Sequence, residues 1–168
     1  VPFWLLNYAD LLELPDGFDA MLWHQHEMLF GFAAAAIAGF ILTAIPNWTG
    51  RLPVSGWRLG LLVAFWLVGR LGFITSVSLG PLVTAVLDLA FLTTLALMIG
   101  RELISGKNWR NLPVLLLISF FTLGNWLVHL ELTGLTETAE IGIRLSTFVL
   151  SILIAVIGGR IVPSFSRN

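Results

Sequence analysis

The chain has 168 residues, 57% of them hydrophobic and only 11% charged, with nine basic and ten acidic side chains, a net charge of −1 and no cysteine. A soluble domain carries about half apolar and about a quarter charged residues, so this composition excludes an ordinary water-solvated fold and points to an integral membrane protein. The near-zero charge, without a repeating Lys or Arg cluster, leaves no electrostatic footprint for nucleic acid. The lack of cysteine excludes disulfides, Cys-bound zinc and thiol nucleophiles, so any metal rests on His, Met, Tyr or carboxylate.

The chain opens on Val1 and reads as a stretch of a longer protein. Its first residues include Phe3, Trp4, Leu5 and Leu6 but then Asp10 and Glu13, too short and too acidic a run to span. Residues 1–19 are therefore expected as an outward-facing interfacial segment or the tail of a lost helix. Residues 20–168 are expected as an all-α transmembrane bundle of five spans, part of a larger membrane domain. Crossing a bilayer core of about 30 Å takes about 20 mostly apolar residues of helix. The first such run extends from about Ala20 to Ile45 and is expected to stop at Pro46-Asn47, where proline removes a donor and restricts its predecessor. The second covers about Trp57 to Val77. Gly80-Pro81 opens the third, which ends near Gly100-Arg101, and Pro113 opens the fourth, which ends near Leu132; proline suits a first helical turn because its missing N–H would be unpaired there. The fifth runs from about Glu140 to Val162.

Short cytoplasmic loops collect Lys and Arg. Arg51 and Arg58 fall in the first interhelical loop, Arg101, Lys107 and Arg110 in the third, and Arg160 and Arg167 at the C-terminal end. The other side holds Asp10, Glu13, Asp16, Asp19, Glu131, Glu137 and Glu140. The N-terminal stretch is thus expected outside and the C-terminus in the cytoplasm. Trp48, Trp57, Trp109 and Trp126 lie near span ends, as aromatic belts do, whereas Trp66 falls mid-span.

Ionisable side chains inside hydrocarbon cost about 2.5–3.5 kcal/mol on insertion scales and usually face a bundle interior. Here they are His24, His26 and Glu27 in span one, Arg70 in span two, Asp88 in span three, His129 in span four and Arg144 in span five, with the polar Asn125 beside His129. Alternating span direction puts all of them in the outer part of the bilayer. At about 100° per residue His24 and Glu27 share a face while His26 points roughly the other way. Gly31, Ala35, Gly39 and Thr43 continue the Glu27 face at four-residue spacing, a small-residue stripe that suggests close packing and a central first span. Asn125 and His129 are one turn apart. Arg70 and Asp88 read most simply as a structural ion pair fixing helix register. Arg144 either neutralises a carboxylate or a haem propionate, or snorkels. Met28 reads as a gap-filler.

The run Trp23-His24-Gln25-His26-Glu27-Met28-Leu29-Phe30-Gly31-Phe32, then Gly39-Phe40 and Thr43-Ala44-Ile45-Pro46-Asn47-Trp48-Thr49-Gly50, resembles the signature of the NnrS family. Asn125-Trp126-Leu127-Val128-His129-Leu130-Glu131 and Gly158-Gly159-Arg160-Ile161-Val162-Pro163-Ser164-Phe165 are similar to further blocks of that family. The resemblance covers essentially the whole chain, as the N-terminal part of a longer member with about a dozen spans. It implies a polytopic bacterial inner-membrane protein containing haem and copper, linked to denitrification and to protection against nitric oxide and nitrosative stress. The family's histidines fall on His24, His26 and His129, which the resemblance makes candidate haem and copper ligands.

Neutral imidazole suits both metals, and Glu27 and Asn125 are expected to orient the rings. The expected partners are the lipid bilayer, nitric oxide or a related species, and the remaining helices of the full-length protein. The alternative is a proton-coupled transporter, or an assembly subunit, using Glu27, Asp88 and the histidines. A phosphate-binding glycine loop, a Gly-x-Ser-x-Gly elbow and a His-Glu-x-x-His zinc helix are absent from the sequence.

Overall fold

The computed structural model describes the backbone of residues 2–9, 11 and 20–165 and the side chains of residues 4–9, 11 and 20–159. The expected outer carboxylates Asp10, Glu13, Asp16 and Asp19, and the inner charges of Arg160 and Arg167, lie outside these described side chains. All regular structure among the described residues is helical: α1 (Pro2–Tyr8), α2 (Ala20–Thr49), α3 (Trp57–Ile74), α4 (Ser76–Leu79), α5 (Pro81–Ser105), α6 (Leu112–Leu132) and α7 (Ala139–Phe165). A 3₁₀ turn, Trp109–Asn111, leads into α6. Five of these helices are long and apolar enough to cross a membrane, which fits a multi-pass membrane protein.

Local chemistry sets most helix ends. Gly80, at φ 76°, turns the chain so that Pro81 can begin α5, and Pro113 sits in the first turn of α6. The first span corrects the expected stop at Pro46. Proline removes only its own donor, and α2 continues through it to Thr49, ending where Gly50 enters the left-handed region at φ 68° and donates to the Pro46 carbonyl at 2.9 Å. The second span is shorter than expected, with Thr75 separating α3 from the short α4.

The packing also corrects the expected central position of span one. Helix α5 is the hub: it packs against α2, α3, α4 and α6, and α7 closes onto α6. Its inward face buries Thr84, Asp88, Leu92, Leu95 and Ile99, at three- or four-residue intervals. The stripe on α2 makes no continuous close contact, for a Cβ on Gly39 would meet nothing within 4 Å. Instead Ala35 and Gly39 border an apolar hollow of about 220 Å³ between α2 and α3. Trp66, on the wall of that hollow, donates its indole N–H to the Gly31 carbonyl at 3.0 Å, which gives a tryptophan in mid-span its hydrogen-bond partner.

Close helix approach occurs elsewhere. A Cβ on Gly69 would lie 3.1 Å from the Asp88 Cα, and one on Gly72 would lie 3.0 Å from the Leu87 side chain, so this pair brings α3 onto α5. Gly124 on α6 faces Gly142 and Ser146 on α7, where an added methyl group at either glycine would overlap the neighbouring helix. At the opposite end from the histidines, Arg51 donates to Glu102 at 2.7 Å and Asn108 donates to the Trp48 carbonyl, tying the end of α2 to α5 and the loop after it.

Candidate functional site

The polar intramembrane residues gather at one end of the bundle, where α2 and α5 begin and α3 and α6 end. Within α2 the segment Glu27–Ala33 is π-helical, and this wider turn changes the register of the residues on either side. His26, just before it, is fully buried and turned into the bundle. Glu27 faces the same cluster through Arg70. The α-helical spacing that put His26 opposite Glu27 does not hold across this segment. His24 turns away from the cluster and stacks on Trp4 of α1, ring centroids 4.3 Å apart.

Asp88 is the hinge of the cluster. Its Oδ2 accepts from Asn125 Nδ2 at 2.9 Å and from His129 Nε2 at 2.9 Å, and His26 Nε2 lies 3.3 Å away. Its Oδ1 accepts from Arg70, whose other terminal nitrogen donates to Glu27. Arg70 thus bridges two carboxylates rather than pairing with Asp88 alone. Gly69, next to it, leaves room for the Asp88 backbone to come this close. Asn125 partners His26, not the His129 one turn along its own helix: its Oδ1 lies 3.0 Å from His26 Nε2. Glu27 lies 3.6 Å from His26 Nδ1. Arg144 is outside this network, on the surface, paired with Glu140.

These contacts assign the ring protons. Ionised Asp88 only accepts, so the Asn125 amide presents its nitrogen to it and its oxygen to His26. That oxygen also only accepts, so His26 donates from Nε2, as His129 does to Asp88. Neither Nδ1 atom has a hydrogen-bond partner, and both are buried; that of His26 faces the Glu27 carboxylate from beyond hydrogen-bond distance. Phe73, which the sequence reasoning did not single out, stacks on His26 with centroids 4.1 Å apart and interplanar angle 7°, and meets His129 edge-on at 5.9 Å. Its position beside Gly72, three residues after Arg70, is the only sequence signal for it. One donor atom each from His26, Asp88 and His129 lies within 4.8 Å of the others, and all three residues are buried. Two carboxylates face one guanidinium here, an excess of formal negative charge that a protonated His26, 3.3 Å from Asp88 and 3.6 Å from Glu27, or a bound cation would balance.

Fold and cluster together define a polytopic helical membrane protein with a buried His/Asp/His group able to hold a metal ion. The family model described as NnrS protein matches residues 1–168, the whole chain, and the chain belongs to the NnrS family. No curated protein and no solved structure matches it.

Proposed function

We propose that this chain forms the metal-holding part of a bacterial inner-membrane protein that acts in the response to nitric oxide and nitrosative stress, with its C-terminus cytoplasmic and the His26–Asp88–His129 cluster on the periplasmic side. The observation that carries this reading is the meeting of two imidazoles from α2 and α6 on one α5 carboxylate, with one donor atom from each of the three buried residues within 4.8 Å of the others. Two imidazoles and a carboxylate suit copper, the metal that the family resemblance implies. Copper bound there supplies a one-electron couple and an affinity for small neutral ligands. The protein's part is to hold His26 and His129 in fixed orientation, through Asn125, Asp88 and the Phe73 ring, and to exclude water. Glu27 acts on the rings chiefly through Arg70, and His24 stands apart from the pair.

Haem, the other group implied by the resemblance, does not fit between these two imidazoles. Asp88 lies between the ring nitrogens, Phe73 covers the His26 face, and the rings sit 5.4 Å apart at 83° to one another, leaving no flat slot. A proton or solute route is less well supported, because inward of the cluster Phe30 packs on Phe121 and the next residues of α5 are Phe91, Leu92 and Leu95.

The test is metal analysis of the purified full-length protein, together with its nitric oxide binding. Copper bound in proportion to protein, and held more weakly, so that less survives purification, in both His26→Ala and His129→Ala, supports the reading. Copper content unchanged in both variants overturns it.

A further inference from the structure

A π turn closes each amide on the carbonyl five residues back instead of four, and so takes in one residue more than an α turn. Helix α2 carries such a segment at Glu27–Ala33, where the Ala34 amide reaches back to the Leu29 carbonyl. Two side chains of α3, one turn apart and on the same face, grip it. Trp66 donates its indole N–H to the Gly31 carbonyl at 3.0 Å, and Arg70 donates to the Glu27 carboxylate. Gly31 makes room for the second contact: a Cβ there would lie 2.8 Å from Arg70 Nη1 and 3.2 Å from Glu27 Oε2, so a larger residue pushes the guanidinium aside. The π segment is thus held through its backbone and through a side chain, both from one neighbouring helix.

The register decides which side chain meets Asp88. Relaxing the π turn to α gives up its extra residue and rotates the preceding helix by about 100°, so each residue there takes the place of the one before it. His26 then leaves its fully buried position for the exposed one of Gln25, and Glu27 comes to the place of His26. The group around Asp88 becomes two carboxylates and one imidazole, a set suited to a harder cation such as manganese, instead of the two imidazoles and one carboxylate that suit copper. We propose that Trp66 and Arg70 are positioning residues that hold α2 in its π register, and that this register selects the donor set of the cluster. The choice of metal rests on the copper reading above; the register does not.

The experiment is pulsed electron paramagnetic resonance of spin-labelled, metal-free full-length protein freed of any other cysteine, with copper affinity measured on unlabelled samples. Labels at Gln25→Cys paired with Leu135→Cys, and with Val77→Cys, all exposed positions, report the start of α2. Asn47→Cys paired with Ile104→Cys, also exposed, reports the part of α2 beyond the π segment. A rotation of about 100° carries a side chain on the rim of a helix about 10–12 Å wide through roughly 8 Å. Trp66→Phe keeps a ring but removes the donor, and adding Gly31→Ala also displaces the guanidinium. Both variants are expected to shift at least one Gln25 distance by several Å, the double variant more, to leave the Asn47–Ile104 distance unchanged, and to lower copper affinity about 10–100-fold. Deleting Met28 from Trp66→Phe takes out the residue that the π turn accommodates, so an all-α helix again presents His26 to Asp88. Recovery of both the distances and the copper affinity is expected, which a tryptophan that only stabilises the fold would not give. A changed Asn47–Ile104 distance identifies any variant that fails to fold, and Trp66→Phe alone carries the test if the double variant does. Parent Gln25 distances in the variants that keep the Asn47–Ile104 distance, or a folded Met28 deletion that recovers neither quantity, would overturn the inference. The expected distance changes in a protein that binds no copper refute only the metal reading.

Discussion

The Nε2 atom of His129 lies 2.9 Å from Oδ2 of Asp88, although 41 residues separate them in the chain. This contact joins α5 to α6, and through the other oxygen of the same carboxylate Arg70 joins α3 and Glu27 joins α2. Four helices thus converge on one buried acid, whose removal affects both the fold and the site.

Asp88→Asn keeps the shape of the side chain but removes the charge that Arg70 and both imidazoles face. Breaking one partner of a buried charge network costs roughly 3–5 kcal/mol. We expect a markedly lower thermal midpoint in detergent. Arg70→Gln combined with Asp88→Asn should recover part of the loss, and a strictly additive double variant would show that the two side chains are not coupled.

Glycines on two helices of the same bundle should behave oppositely. Gly69→Ala places a methyl group 3.1 Å from the Asp88 Cα, where backbone must give, and should cost about 1–3 kcal/mol and loosen the cluster. Gly39→Ala meets nothing within 4 Å, and its better helix propensity, up to about 1 kcal/mol, should leave stability unchanged or raised. Thermal unfolding of the two variants side by side checks this.

On the α6–α7 seam, Gly124→Ala should be severe because the new methyl group overlaps Ser146 Oγ. Shortening the partner with Ser146→Gly should restore part of the lost stability, since the methyl group still meets the Gly142 carbonyl oxygen at 2.8 Å. A Gly124→Ala variant as stable as the parent would show that these helices do not approach so closely.

These 168 residues contain no cysteine, so orientation can be read with single introduced thiols in a protein freed of any cysteine elsewhere. Leu135→Cys, exposed between α6 and α7, should react with an impermeant maleimide in cells whose outer membrane is permeabilised. Leu52→Cys, exposed between α2 and α3 beside Arg51, should react only after lysis. The reverse pattern would place the histidine cluster on the cytoplasmic side.

The five spans were legible because each is an apolar run long enough to cross a bilayer, and because glycine and proline mark where most of them begin. The misplaced end of α2 shows the limit of that punctuation: Pro46 weakens the helix locally, but Gly50, with its left-handed backbone, ends it. The common level of His26, Arg70, Asp88 and His129 was also legible, since alternating spans fix depth. Rotation about each helix axis was not. The π segment shifts the register at Glu27, and which glycines face a neighbour depends on pairings that spacing does not reveal, so nothing in the sequence sets Gly69 and Gly72 above the regular Gly31–Gly39 stripe. For the same reason Asp88 read as a partner of Arg70 alone, and Phe73 not at all.

The central claim is that His26 and His129 hold one metal ion together, and electron paramagnetic resonance of the copper-loaded full-length protein tests it most directly. We expect nitrogen hyperfine structure from two imidazoles, reduced to one in His26→Ala and in His129→Ala and unchanged in His24→Ala. A spectrum without nitrogen coupling, or one altered only by His24→Ala, would contradict it.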